Sequence, residues 1–331
     1  MDIYIKSFNR PYLLHRCIAS IYHYLHGFNG TIVVLDDGTP KKYLDKIQQL
    51  YPEIKIKKSP FYDQKSESIL SNKVPEKIIP ANFWRDEVLK GSERFILIED
   101  DMWFTNHIDF IDFSKQISDM QMDMVKLIWL QNRALISNVI TTSTPFFNHT
   151  KPKVLTQNAL LFDAVFRTNK WKLGSIAMRL IDHKAALLTY YQLYSVAGCV
   201  FSKSYYETCW KNDQQKVDEL QQISQLLQSK STFKVGNSVH EFVRTSCKTT
   251  ASLISKDHLG ASVDIFKINR LLNERWLQGD YYAIADFQNN ISSQWIERII
   301  LEDAGEQLLN EWKQWYVAFV LSYRKIGCKV S

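Results

Sequence analysis

Thr31-Ile32-Val33-Val34-Leu35-Asp36-Asp37-Gly38-Thr39 is an unbroken apolar, β-branched run closed by two acids and a glycine. A run of this length without alternation is the pattern of a strand covered on both faces, as in parallel sheets. The Asp and Gly that follow are turn formers. Upstream, residues 3–8 predict a first strand, stopped by Asn9-Arg10-Pro11. Pro11 suits the first position of a helix, where its missing N–H would be unpaired anyway. Leu14, Cys17, Ile18, Ile21, Tyr22 and Leu25 then recur at helical spacing, and Gly27 and Gly30 end the helix. Downstream come a helix over about 41–50 and a third strand over 54–58. This alternation predicts an α/β fold with a mixed, mainly parallel sheet.

Farther along, the polar stretch 59–80 with Pro60, Pro75 and Pro80 predicts a long loop. A helix over 82–90 leads into the strand 94–98, which ends at Glu99-Asp100-Asp101. Strands are expected over 124–130 and 196–201, and helices over 175–194, 204–210 and 216–229. Residues 132–175 show no clear period, and 231–263 predict short strands and loops. From 265 to 328 the pattern is mostly helical. The expected organisation is one domain over 1–263, with halves 1–130 and 131–263, followed by a helical extension over 264–331.

Forty-one Lys and Arg against 35 Asp and Glu leave a net charge of +6 over 331 residues. That is mildly basic and not the clustered charge of a nucleic-acid binder, so no nucleic-acid partner is expected. Five cysteines, odd in number and without a C-x-x-C pair, predict reduced thiols rather than disulfides or a zinc site. Neither a signal-peptide pattern nor an apolar run long enough to span a membrane is visible, so a cytoplasmic location is expected. The G-x-G-x-x-G, G-x-x-x-x-G-K, H-E-x-x-H and G-x-S-x-G motifs are all absent, which disfavours dehydrogenase, P-loop, zincin and α/β-hydrolase chemistry.

What remains is acid at the carboxyl ends of two strands, where α/β sheets bind ligands. Each acid run alone also reads as a solvated turn. Together they point to function. A carboxylate after the 31–35 strand can accept the N3–H of a uracil ring. The acids at 99–101 offer hard oxygen ligands to Mg²⁺ or Mn²⁺, which neutralises a diphosphate as a leaving group.

Ile3 to Pro11, Thr31 to Thr39 and Arg94 to Phe104 resemble, in that order, three segments of the GT-A glycosyltransferases, family 2 in particular. The Glu99-Asp100-Asp101 run resembles the Glu-Asp-Asp form of the D-x-D motif, known also in family 13. The resemblance covers residues 1–130. It implies a GT-A fold and transfer of a sugar, with inversion, from a UDP-sugar to a hydroxyl of a glycan or glycolipid in cell-envelope polysaccharide synthesis. By the same resemblance Asp101 is the direct metal ligand, and Glu99 and Asp100 support the metal and the donor. Asp36 or Asp37 meets the base, and Ser7 and Arg10 approach the nucleotide. Arg85 stands near the donor or is simply an exposed helical arginine. Residues 197–203 are similar to a strand lining the donor sugar. Residues 251–262 resemble a late histidine-glycine segment, making His258 a second metal or phosphate ligand or a loop histidine that caps backbone groups.

An inverting transfer needs a carboxylate to take the acceptor proton. The resemblance to family 2 implies a base between the donor-lining strand and His258. Of the acids there, Glu241 stands alone among apolar neighbours and is the first candidate, with Asp213 second and the stretch 132–175 the place to look if neither serves. The aromatic and basic residues from Trp312 to Lys329 suit either a helix lying on an anionic bilayer or one docked on the body. Two other readings stay open. A nucleotidyltransferase would use the same acids, but those enzymes usually carry a glycine-rich loop after the first strand, and residues 7–12 contain no glycine. A non-catalytic sugar-nucleotide-binding scaffold would keep the fold without transfer.

Overall fold

The computed structural model describes residues 1–136, 138–170, 174, 182–211, 217–229, 232–250 and 263–330. The strands are β1 (Asp2–Ser7), β2 (Leu25–His26), β3 (Ile32–Asp36), β4 (Lys55–Lys58), β5 (Arg94–Glu99), β6 (Met102–Phe104) and β7 (Ile108–Asp109). They continue with β8 (Met124–Lys126), β9 (Asn138–Ser143), β10 (Phe147–Pro152), β11 (Cys199–Ser202), β12 (Val235–Ser238) and β13 (Val243–Thr245). The helices of the first half are α1 (Pro11–Tyr24), α2 (Lys41–Leu50), α3 (Tyr62–Leu70), α4 (Ala81–Leu89) and α5 (Phe110–Asp119). Those of the second half are α6 (Ala159–Phe162), α7 (His183–Tyr190), α8 (Lys203–Cys209), α9 (Glu219–Gln228), α10 (Ile265–Leu277), α11 (Ser293–Ala304) and α12 (Glu306–Arg324).

Among the described residues nine strands form one mixed sheet in the order β4-β3-β1-β5-β11-β8-β12-β10-β9. The pairs β3·β4 and β8·β12 are parallel. The pairs of β11 with β5 and with β8 are antiparallel, as is the hairpin of β9 and β10. The chain is therefore α/β. The run that suggested it, β3, is buried at all five positions, as expected of a strand covered on both faces.

The chain divides into two compact units, each assembled from separate stretches. The first holds residues 1–4, 78–97 and 110–242; the second holds 5–77, 98–109 and 243–331. In the first unit Phe162, Phe166, Tyr190, Tyr194 and Ile223 make one buried cluster, and Phe95, Val125, Phe147, Phe201 and Tyr206 are also buried. In the second unit α1 buries Leu13, Leu14, Cys17, Ile18 and Ile21. The helices α10, α11 and α12, expected as an extension, fall in this same unit. They bury Leu272 and Trp276, Ile296 and Ile300, and Trp312, Trp315 and Phe319. Of the residues that suggested a bilayer face, Trp312, Trp315 and Phe319 are thus buried while Val317 and Leu321 are exposed, and Trp312 Nε1 donates to the Lys248 carbonyl (2.9 Å). No helix among the described residues is long and apolar enough to cross a membrane.

Three expectations need correction. The stretch 59–80 is not all loop, because α3 occupies part of it. Its buried positions Tyr62, Lys65, Ser66 and Ile69 have the i, i+3, i+4, i+7 spacing of one helix face. A lysine and a serine on that face hid the period. The irregular stretch from 132 contains the hairpin β9–β10, and β8 ends at Lys126 rather than running on to 130. All five cysteines are free and buried.

Candidate active site

The second unit gathers its buried polar residues around the loop 7–10, between β1 and α1. Asn9 adopts a left-handed backbone (φ 53°), which Asn tolerates better than most residues. This bend turns the chain from β1 into the proline-led start of α1. Three neighbours hold it. The Asp37 amide donates to the Ser7 carbonyl (3.0 Å). The Asn9 amide donates to Thr39 Oγ1 (2.8 Å), and the Phe8 amide donates to Asp100 Oδ2 (3.1 Å). The loop after β1 is therefore fastened to the turns after β3 and β5.

Asp36 is fully buried and closes its own turn. Its Oδ1 accepts from the Gly38 amide (3.0 Å) and the Thr39 amide (2.7 Å), and its Oδ2 accepts from the Thr39 hydroxyl (2.6 Å). Burial nevertheless pushes its carboxyl up to about 6 against those donors. Asp37 is tied to α3, with Oδ2 accepting from Lys65 Nζ (2.5 Å) and Oδ1 from the Ser59 hydroxyl (2.5 Å). Burial raises its pKa too, and Lys65 and Ser59 oppose the rise. Lys65 itself is buried within α3, so the sequence offered only its helical spacing as a signal.

The acids after β5 have their own cations. Lys6 Nζ meets Glu99 Oε1 at 2.8 Å. Arg10 bridges the other two, with Nη2 on Asp100 Oδ1 and Nη1 on Asp101 Oδ2 (2.8 Å). Burial disfavours the Arg10 charge, and the two carboxylates more than offset that, holding it above its usual range. Asp101 moves the other way. Burial lifts it to about 7, Arg10 opposes the rise, and Glu99 and Asp100 add to it.

Among the described residues, five carboxylates (Asp36, Asp37, Glu99, Asp100, Asp101) thus share three bonded cations (Lys6, Arg10, Lys65). Asp101 Oδ1 and Arg10 Nε are buried without a hydrogen-bond partner among the described residues, as is Ser246 Oγ. Ser246 lies beside the motif, its amide donating to the Asp101 carbonyl (3.0 Å). Orphaned buried polar atoms cost roughly 1–3 kcal/mol each, and a cationic or phosphate-bearing ligand would relieve them. Among the described residues no group of three His, Cys, Asp or Glu is arranged to hold a metal. A free Asp101 oxygen nonetheless fits Mg²⁺ or Mn²⁺, which take one or two carboxylates and complete their shell with substrate phosphate and water.

Sequence reasoning missed the part of α10. Asn273 Nδ2 donates to the Asn9 carbonyl (3.1 Å) and to Asn9 Oδ1 (3.0 Å). One turn earlier, Asn269 Oδ1 accepts from the Tyr12 hydroxyl (2.8 Å). Asn at i and i+4 on a helix face was the available signal, but its target lies more than 250 residues away.

The structure brings Ser7, Arg10, Asp36, Asp37, Glu99, Asp100 and Asp101 together in the second unit. Arg85 and Glu241 belong to the first unit. Arg85 donates to the Trp210 carbonyl (3.1 Å) and to Asp86 Oδ1 (2.9 Å). Glu241 Oε1 accepts from the amides of Trp129 (2.6 Å) and Gln131 (3.2 Å). Asp213 and His258 lie outside the described residues.

No family model and no curated protein matches the sequence. Solved structures with a related chain course include S. aureus TarS, at 9% identity and a TM-score of 0.40, covering 99% of this chain and 50% of that one. The 1–349 fragment of TarS gives 12% identity and a TM-score of 0.42, covering 99% and 82%. Glucosyl-3-phosphoglycerate synthase from Mycobacterium tuberculosis gives 14% and 0.32, covering 62% and 58%. The chain spans half the length of TarS. With TM-scores under 0.5, the functional reading rests on the residues of the site.

Proposed function

We propose that the chain is a metal-assisted GT-A glycosyltransferase that moves a sugar, with inversion, from a UDP-sugar to a hydroxyl of a glycan or glycolipid. The observation that carries this reading is the buried Asp101 Oδ1, without a partner among the described residues, beside an arginine bridging Asp100 and Asp101. Such a pairing of one open carboxylate oxygen with one fixed guanidinium suits a diphosphate accompanied by a divalent cation. Asp101 would hold Mg²⁺ or Mn²⁺, which neutralises charge on the departing UDP. Arg10 supplies a second positive charge from a fixed, water-poor position, where it acts more strongly than in solvent. Glu99 and Asp100 keep Lys6 and Arg10 in place.

Asp36 and Asp37 shape the wall toward the uracil ring, and Lys65 and Thr39 fix their orientation. In this reading Asp213, the second of the two sequence candidates, takes the acceptor proton, and Glu241 keeps Oε1 on two backbone amides.

Thermal unfolding of wild type and Asp101→Ala with UDP, GDP or CMP, each with and without Mn²⁺, tests the proposal. A ligand at 100 times its dissociation constant adds about 2.7 kcal/mol to the folded state. For a chain of 331 residues that is about 4 °C in Tm. The expected result is a shift with UDP that requires Mn²⁺ and disappears in Asp101→Ala. A shift with GDP or CMP instead would change the donor, and no shift with any nucleotide would refute the reading.

A further inference from the structure

In the first unit β8 and β12 are neighbouring parallel strands, and the loops beyond the carboxyl ends of such strands are where α/β sheets take ligands. One side chain ties these two loops together. Glu241 follows β12 by three residues, and its Oε1 accepts from the amides of Trp129 (2.6 Å) and Gln131 (3.2 Å), in the turn that follows β8. The Phe242 amide reinforces the tie by donating to the Leu127 carbonyl (3.0 Å).

The turn is strained. Leu130 and Gln131 are both left-handed, with φ 53° and 54°, a conformation that crowds Cβ against the carbonyl. Successive residues stay there only where the surroundings hold them, and such places cluster at functional sites. The Asn132 amide closes the turn on the Trp129 carbonyl (2.9 Å), and Asn132 Oδ1 accepts from the Ala134 amide (3.0 Å).

What the turn displays is the Trp129 ring. The indole N–H groups of Trp103, Trp276, Trp295 and Trp312 all donate hydrogen bonds. Trp129 is half-buried, and its ring makes neither a hydrogen bond nor an aromatic contact with the described residues. An indole held this way offers a flat apolar face with a polar edge, which matches the C–H face and hydroxyl rim of a pyranose.

We propose that the 129–131 turn is a sugar-stacking subsite, in which Trp129 receives a pyranose ring and Glu241 is the positioning residue that holds it there. The assignment of a sugar as the ligand rests on the glycosyltransferase reading. Two backbone donors on Oε1 account for the acid at 241 without any proton transfer.

Gln at 241 keeps an oxygen for both amides but cannot act as a base, whereas Ala removes the tie. Hydrogen exchange on the full chain and tryptophan quenching by a panel of p-nitrophenyl hexosides read the two properties. In Glu241→Ala the amides of Trp129 and Gln131 should exchange about tenfold faster or more, and hexoside affinity should fall about tenfold, the kind of loss that misplaced groups produce. Glu241→Gln should retain both protection and affinity. Trp129→Ala should lose affinity, and Trp129→Phe should recover part of it while keeping the chain folded.

The proposal is overturned if wild type binds no hexoside, if Trp129→Ala binds as wild type does, or if exchange in Glu241→Ala is unchanged. It is also overturned if Glu241→Gln keeps its protection yet loses about 100-fold or more in Mn²⁺-dependent UDP release from UDP-glucose, the signature of a lost base. A wild type that shows the UDP thermal shift but binds no hexoside sinks this proposal alone. Absence of both sinks the glycosyltransferase reading.

Discussion

Replacing Arg10 by Met removes a cation bonded to two buried acids while keeping most of the side-chain volume. The side chains of Arg10, Asp100 and Asp101 are 9%, 0% and 7% exposed, so water cannot stand in for the missing charge. Breaking a buried ion pair from one side typically costs about 3–5 kcal/mol, because an uncompensated charge is left inside. Unfolding entropy of about 2.1 cal/mol/K per residue converts that into a Tm lowered by about 4–7 °C for a chain of this length.

The loss must depend on pH. Burial raises the folded pKa of Asp100 and Asp101, and Arg10 opposes the rise. Without Arg10 both rise further, and the folded state then binds protons more readily than the unfolded one. The penalty is full above those raised values and shrinks as pH falls through them, because both acids then become neutral inside the folded chain. Calorimetry of wild type and Arg10→Met at about pH 8 and about pH 5 measures this. Adding Asp100→Asn and Asp101→Asn to Arg10→Met should recover most of the loss, because the buried charges disappear with their partner. Mn²⁺ should raise the Tm of Arg10→Met more than that of wild type. A variant melting within about 1 °C of wild type at pH 8, or losing as much at pH 5, would refute the electrostatic account of the site.

Gly38→Ala should cost about 2–4 kcal/mol in chemical denaturation, since Gly38 has φ +129° and an added Cβ would lie 2.5 Å from Lys65 Cβ. The same variant should weaken the UDP shift by disturbing the turn that Asp36 closes. Asp36→Asn tests the sign of a buried acid: burial holds Asp36 at about 6 against an ordinary 3.8. Wild type should therefore lose up to about 3 kcal/mol of stability as pH rises from about 4 to 7, and titration of Tm should show that slope flattened in the Asn variant.

Much of the framework was legible because its signals are local. The apolar run 32–35, the helical spacing of Leu14, Cys17, Ile18 and Ile21, and Pro11 at the helix start each depend on residues a few positions apart. Those elements form where expected. The two acid runs were visible for the same reason, being short segments that close hydrophobic strands. By contrast, α3 was missed because its buried face includes Lys65, a residue that becomes interior only once Asp37 is there to neutralise it.

Sequence alone determined the alternation of strands and helices and placed acids at the ends of β3 and β5, since backbone periodicity and turn chemistry act over a few residues. Tertiary structure decided which cation serves which acid. Arg10 reaches 90 and 91 residues ahead to Asp100 and Asp101, Asn273 reaches back to Asn9, and Glu241 engages a turn 110 residues earlier. These pairings depend on the path of the whole chain, because burial gives a charge its cost and only the folded chain supplies the partner that offsets it.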